Sequence, residues 1–415
     1  MIPQIQSILG LFTFLLFAWF ISENRKKICF KQLIIGLTMQ LFLGLILLKL
    51  PFFRQLFLYL NEVVIALEKS TIAGTTVVFG YLGGGTLPFT ENIPGASFIL
   101  AFRALPLVLI MSALSALLFY WKILPFFVNL FSIILQKTLK IGGAEGVGIS
   151  ANIFVGMVEA PILIRPYLKN MTRSEIFSLM TCGMATIAGT VMVLYASILS
   201  KIIPDVLGHI LTASIISAPA AITIAKIMVP ETEEISSGEL AVSNQAISSM
   251  DAITNGTIQG VQLLINIIAM IISLVAIVNL VNILLGIFPG IAGENITLQR
   301  ILGFIMAPIV WLMGIPWEEA SVAGALMGTK TVINEFLAYM DLSNLPEGSL
   351  SEKSTIIMTY ALCGFANPGS LGIMIGGMGT MAGDRRKDIV SLGFRSIIAG
   401  TLATCMTGAV VGIIL

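Results

Sequence analysis

Histidine is almost absent from this sequence: of 415 residues, His209 is the single one. That scarcity removes Ser-His constellations, His-Glu-x-x-His zinc sites and histidine-rich metal centres as sources of function. Cysteine is sparse as well. Cys29, Cys182, Cys363 and Cys405 stand far apart and three of them lie inside apolar runs, which suits small buried side chains and excludes a disulfide framework or a Cys-x-x-Cys site. Charge is the third shortage: Asp, Glu, Lys and Arg make up 11% of the chain, where soluble domains average about 25%. With a net charge of +1 there is no basic surface for nucleic acid. Nor is there a nucleotide loop: "GGAEGVG" at 142-148 has no Lys-Ser/Thr after it and reads as a hairpin entrance. No constellation of an enzyme remains.

Apolar residues supply what is abundant, 57% of the chain with a mean hydropathy of +0.98. An all-α integral membrane protein is expected, because about 20 apolar residues cross a bilayer and an unclosed sheet cannot. Eight runs qualify: 5-22, 33-50, 97-121, 175-200, 206-229, 261-288, 355-380 and 389-414. The first has no basic residue before it and reads as a retained span. Residues 52-68 and 126-140 have the periodicity of interfacial helices. Two further segments, 142-168 and 312-343, are apolar but broken by Gly and Pro with charge in mid-run, so each is expected to re-enter and return to its own side.

Lysine and arginine orient the plan, since short cytoplasmic loops carry the excess. With the N-terminus outside, the inside loops hold Arg25, Lys26, Lys27, Lys31, Lys122, Lys137, Lys140, Arg165, Lys169, Arg173, Lys226 and Arg385 to Lys387. Both termini are then outside, and the acidic, polar stretch 231-260 reads as a flexible inside crossover.

An echo links the two halves: Cys182-Gly183-Met184-Ala185-Thr186 against Cys363-Gly364-Phe365-Ala366-Asn367. Each copy follows a broken segment with one acid in it, Glu159 in "GMVEAP" and Glu335 in "VINEFLAY". Either acid could serve as a structural partner of Arg165 or Lys330, but intramembrane acids are costly, and two in matching positions point to a site. Three spans separate the hairpins, so the copies run in opposite directions. Inverted repeats with discontinuous helices are the mark of secondary transporters, and Asn367-Pro368-Gly369-Ser370 is expected to break its span. A channel needs no such paired breaks.

"NIFVGMVEAPILIRPYL", "KTVINEFLAY" and "YALCGFANPGSLGIMIGGMG" together resemble the signature segments of the concentrative nucleoside transporters, from about residue 90 onward. The resemblance implies a homotrimer in the bacterial cytoplasmic membrane and a nucleoside symporter working as an elevator on a sodium or proton gradient, with no cofactor other than Na+ as a coupling ion. It divides the chain into scaffold at 1-121, a first transport half at 122-229, a crossover and scaffold span at 230-290 and a second transport half at 291-415. It assigns ribose to Glu335, Asn367 and Ser370, the base side to Met157, Val158 and Glu159, and the base pocket to Phe365 and Val191. For sodium it points to Asn152, the Val155 backbone, Thr186 and the Ile187 backbone; for protons, to Glu159 or Glu335.

Two departures bear on specificity. The family's usual Gln-Thr before the first hairpin's Glu is Met157-Val158 here, which removes the groups that would bond a pyrimidine edge and favours purine nucleosides. Pro368-Gly369 stands where the family commonly has Phe-Ser. Two alternatives stay open at this stage: a pyrimidine preference, and an elevator transporter of another uncharged hydroxylated metabolite.

Overall fold

The computed structural model describes residues 3–91, 97–157, 159–238, 246–290 and 295–415, and helices are its only regular elements there. In chain order they are α1 (Pro3–Phe20), α2 (Phe30–Lys49), α3 (Pro51–Phe79), α4 (Leu100–Arg103), α5 (Leu107–Tyr120), α6 (Ile123–Leu139), α7 (Gly143–Phe154), α8 (Glu159–Ile162) and α9 (Arg173–Ala185). Then follow α10 (Gly189–Leu199), α11 (Val206–Met228), α12 (Ser249–Leu285), α13 (Leu298–Leu312), α14 (Trp317–Val332), α15 (Glu335–Ser343), α16 (Glu352–Leu362), α17 (Pro368–Met381) and α18 (Arg386–Ile414). The order α6 to α11 is repeated as α13 to α18: amphipathic helix, two-armed hairpin, broken span, long span.

Two faces can be told apart by which ends meet. On one, Glu23 takes ion pairs from Arg173 at 2.9 Å and Arg395 at 2.5 Å, and Arg173 also pairs with Asp388 at 3.3 Å. On the other, Leu47, Phe57, Asp205, His209, Glu347 and Leu415 line one cavity. The first face carries the basic loops, so the alternation expected from lysine and arginine agrees with the packing. Ser7 donates to Met313 O at 2.9 Å, and Gly412 packs against both, so the two ends of the chain share the second face.

Several expectations need correcting. The amphipathic helix expected at 52-68 runs on to Phe79, 29 residues, long and apolar enough to cross a membrane. It still begins and ends on one face: Phe57 lies against Gly208 near the start of α11, and Phe79 meets Phe102, just before α5, with ring centroids 5.0 Å apart. The crossover expected over 231-260 is helical from Ser249, since α12 is a 37-residue helix. Here α12 lies antiparallel on α5, with Gly256 against Ala116 and Gly260 against Leu109, and backbones can approach so closely only where a Cβ is missing. His209, expected at the surface, is half-buried with Nδ1 3.0 Å from the Tyr360 hydroxyl.

The long helices divide by partner. α1 lies along α18 and α2 along α11; Gln40 of α2 donates to the Thr407 hydroxyl of α18 at 3.2 Å, and Gly36 packs against Thr223 of α11. α11 and α18 are buried along most of their lengths, whereas α12 buries only Ala252, Gly256, Gly260 and Val278.

At the basic face a charge cluster fastens the start of the crossover. Lys226 Nζ lies 3.0 Å from Glu145 and 3.3 Å from Glu231, and Glu175 accepts from Ser236 N–H at 2.9 Å. Glu145 has no exposed surface, so removing its partner strands a buried carboxylate. Lys226→Met is expected to destabilise the protein by about 3–5 kcal/mol, read as a lower thermal unfolding midpoint, and Lys226→Met with Glu145→Gln is expected to recover part of the loss.

Candidate functional site

Both broken spans interrupt at the same depth of the molecule. α9 stops at Ala185 and α10 starts at Gly189; α16 stops at Leu362 and α17 starts at Pro368. Pro368 occupies the first turn of α17, where its missing N–H costs nothing, so the break lies just before it, over 363–367. The breaks cross at Gly364: its φ is +153°, and a Cβ there would lie 2.7 Å from Met184 O. The sequence echo is not the structural register. Matching helix ends pairs Ala185 with Leu362, so the Cys-Gly-x-Ala motif lies about one turn earlier in the first copy.

Beside the crossing is a cavity of about 180 Å³, lined by Met157, Glu159, Val191, Glu335, Phe365, Asn367 and Ser370. These are all the expected substrate contacts except Val158, which lies outside the described residues. Glu335 is 5% exposed and Asn367 1% exposed. The Tyr195 hydroxyl donates to Glu335 Oε1 at 2.7 Å and Asn367 Nδ2 donates to Oε2 at 3.1 Å. The amide orientation of Asn367 is set by its second task as N-cap of α17, where its Oδ1 accepts from Ser370 N–H at 2.8 Å. What results is a buried carboxylate with its orientation fixed from two sides and lone pairs left to accept from hydroxyl groups.

The two acids are equivalent in the repeat and unlike in surroundings. Each is the first residue of its hairpin's second arm, Glu159 opening α8 and Glu335 opening α15. Glu159 is exposed and also lines a larger cavity of about 560 Å³ that reaches Tyr120, Asn255, Gln259 and Gln262. Glu159 thus lies where the small cavity joins a polar one reaching towards the basic face. Lys330 serves neither acid directly; it donates to Ala361 O at 2.7 Å and the Thr404 hydroxyl at 2.8 Å.

Tyr195 is the contact that sequence reasoning missed. Its signal was available, since it stands four residues after Val191 and therefore on the same helix face. Asn266 and Met270 of α12, four apart and also lining the cavity, could be found only from the packing.

The residues expected to hold sodium also converge. The Thr186 hydroxyl lies 3.1 Å from Asn152 O and 2.9 Å from Cys182 O, Val155 is the extended residue ending α7, and Ile187 N–H donates to Ser214 at 3.3 Å. Asn152 Oδ1 is buried without a hydrogen-bond partner.

Comparison with known proteins bears on the whole chain. The family model described as the C-terminus of a Na+ dependent nucleoside transporter matches residues 209–412, its N-terminal counterpart residues 9–82, and a nucleoside recognition model residues 101–202. The chain belongs to the concentrative nucleoside transporter family. Nucleoside permease NupC of Helicobacter pylori is 36% identical over 413 residues, covering 98% of this chain and 97% of the permease. The human solute carrier family 28 member 3 is 33% identical over 430 residues, 99% of this chain and 60% of the human protein. The solved structure of CNTnw in an inward-facing substrate-bound state superposes with a TM-score of 0.91 at 33% identity, covering 100% of both chains. As a concentrative nucleoside transporter, this chain is a multi-pass protein of the cytoplasmic membrane and not an enzyme.

Proposed function

We propose that this transporter is a sodium-coupled importer that favours purine nucleosides and moves them by an elevator displacement within a homotrimer. The observation that carries the reading is Glu335, buried at the cavity and held by Tyr195 and Asn367. A carboxylate that only accepts suits the paired hydroxyls of a ribose, and at a carboxylate this buried the unpaired alternative is expensive. Ser370, one turn into α17 and 8% exposed, stands beside it. Glu159, at the mouth of the cavity, faces the base.

Preference for purines is supported by the remainder of the cavity lining, where Met157, Val191 and Phe365 contribute apolar side chains and a flexible thioether can follow a bicyclic ring. Proteoliposome uptake of labelled inosine tests it: unlabelled purine nucleosides should compete better than uridine, and Met157→Gln should raise the relative affinity for uridine by about tenfold, one good hydrogen bond's worth. Equal competition by uridine in the parent protein overturns the preference.

Sodium is supported by the donor chemistry. Hydroxyl, amide and carbonyl oxygens are hard ligands, Asn152 Oδ1 is buried with no protein partner, and α7 and α9 both direct their C-terminal, partially negative ends there. Uptake driven by an imposed sodium gradient at equal pH is the expected result. For the elevator, the packing favours α5 and α12 as the frame, with α1 and α2 travelling with α11 and α18, which they line. That grouping differs from a scaffold spanning 1-121 and is the one we adopt.

A further inference from the structure

The two halves fill one equivalent place in opposite ways. Asn152 stands two residues before the last residue of α7, and Lys330 two before the last of α14. Both helices lead into a hairpin tip and then to the glutamate opening the second arm, so the side chains correspond through the inverted repeat. Each also reaches the C-terminal end of the first segment of its broken span, α9 or α16.

In the first half only oxygens gather, and one of them, Asn152 Oδ1, is buried without a partner. In the second half an ammonium occupies the position. Lys330 is completely buried, and its Nζ donates to Ala361 O in the last turn of α16 and to the Thr404 hydroxyl of α18. Both partners are uncharged oxygens. A buried cation hydrogen-bonded only to neutral groups is costly, and what offsets the cost is the C-terminal ends of α14 and α16, each carrying partial negative charge, with the Glu335 carboxylate attracting the ammonium without bonding it. The last long helix of each half faces its break in the same way, Ser214 of α11 accepting from Ile187 N–H and Thr404 of α18 lying against Gly364.

We propose that Lys330 is a tethered cation, its ammonium standing permanently where the second half would otherwise take up an exchangeable ion. The pseudo-symmetric pair of ion positions is thereby reduced to one, so each chain carries a single exchangeable cation, at Asn152, per nucleoside. The break next to Glu335 keeps its positive charge at every stage of transport, and only the first half's break gains and loses charge with the gradient. The inference rests on the cation reading given above for Asn152.

The test is thermal stability of the purified full-length protein in sodium chloride against choline chloride at equal ionic strength. The wild type should show one saturable sodium-specific rise, and at the sodium concentration that half-saturates the wild type Asn152→Ala should lose most of it. Lys330→Asn copies the first half's oxygen donor, so Lys330→Asn combined with Asn152→Ala should regain a sodium-specific rise, while Lys330→Met with Asn152→Ala should not. No rise in the Lys330→Asn double variant overturns the proposal. No rise in the wild type overturns instead the sodium reading at Asn152, and a rise in the Lys330→Asn double variant would still support the tethered cation. Should the Lys330 variants not fold, Asn152→Lys decides. The wild type is expected to bind inosine about tenfold more tightly in sodium than in choline; Asn152→Lys, with both cations tethered, should bind it equally in the two. A retained need for sodium, or no binding, overturns the proposal.

Discussion

Glu335→Gln is expected to lower nucleoside uptake by about 100-fold or more, two lost charge-assisted hydrogen bonds at roughly 1.5–3 kcal/mol each. The donors already in place set this effect. Tyr195 O–H and Asn367 N–H both point at the carboxylate, and the opposite edge of the Asn367 amide is committed to capping α17, so it cannot turn over. A glutamine would turn its Oε1 to Asn367 and its NH₂ to the Tyr195 oxygen, which accepts once its own hydrogen rotates away, so both buried partners stay satisfied but a single, already bonded oxygen is left to accept from substrate. Uptake into proteoliposomes measures the effect, with the unfolding midpoint as a control, because a neutral side chain in this buried place should not lower stability. Transport near the parent rate would remove the ribose assignment.

Asn152→Ala carries the second large effect. Deleting the amide removes the partnerless Oδ1 and leaves Thr186, whose one hydroxyl hydrogen already lies between Asn152 O and Cys182 O. With one of few ligands gone from a site that has no carboxylate among the expected donors, the sodium concentration for half-maximal uptake should rise by about tenfold or more, the equivalent of roughly 1.4 kcal/mol. Uptake measured against sodium at constant ionic strength reads it directly. Since Asn152 lies outside the cavity lined by Glu335, nucleoside affinity at saturating sodium should change far less. If sodium dependence were unaltered, the ion would have to be held elsewhere.

Much of the membrane plan was legible in advance for a local reason. Apolar runs, Gly-Pro interruptions and lysine counts each act over a dozen residues, so the spans near α1, α2, α11 and α18 and the breaks near Thr186 and Pro368 could be placed by reading alone. Errors arose where length or register depends on neighbours. The helix expected over 52-68 continues to Phe79, and its two ends find partners that the local pattern does not show, α11 at Phe57 and Phe102 at Phe79. Residues 249–260 looked polar enough for a loop, yet Gly256 and Gly260 seat that stretch against α5. The Cys-Gly echo suggested a register that the helix ends shift by about a turn.

By itself the sequence determined that this is an all-helical membrane transporter of nucleosides, with two broken hairpins each bearing one acid, because hydrocarbon transfer and helix breaking sum over adjacent residues and the signature segments are continuous. Only the tertiary structure decided what each acid became. Glu335 takes its partners from Tyr195 and Asn367, 140 and 32 residues away, and is buried; Glu159, its equivalent by position, is exposed beside the wider polar cavity. It was tertiary structure, too, that brought Lys330 to Ala361 and Thr404 and left Asn152 Oδ1 without a partner. An inverted repeat makes two positions equivalent in geometry, but which one receives an ammonium bonded on two sides and which an amide oxygen without a protein partner depends on long-range packing.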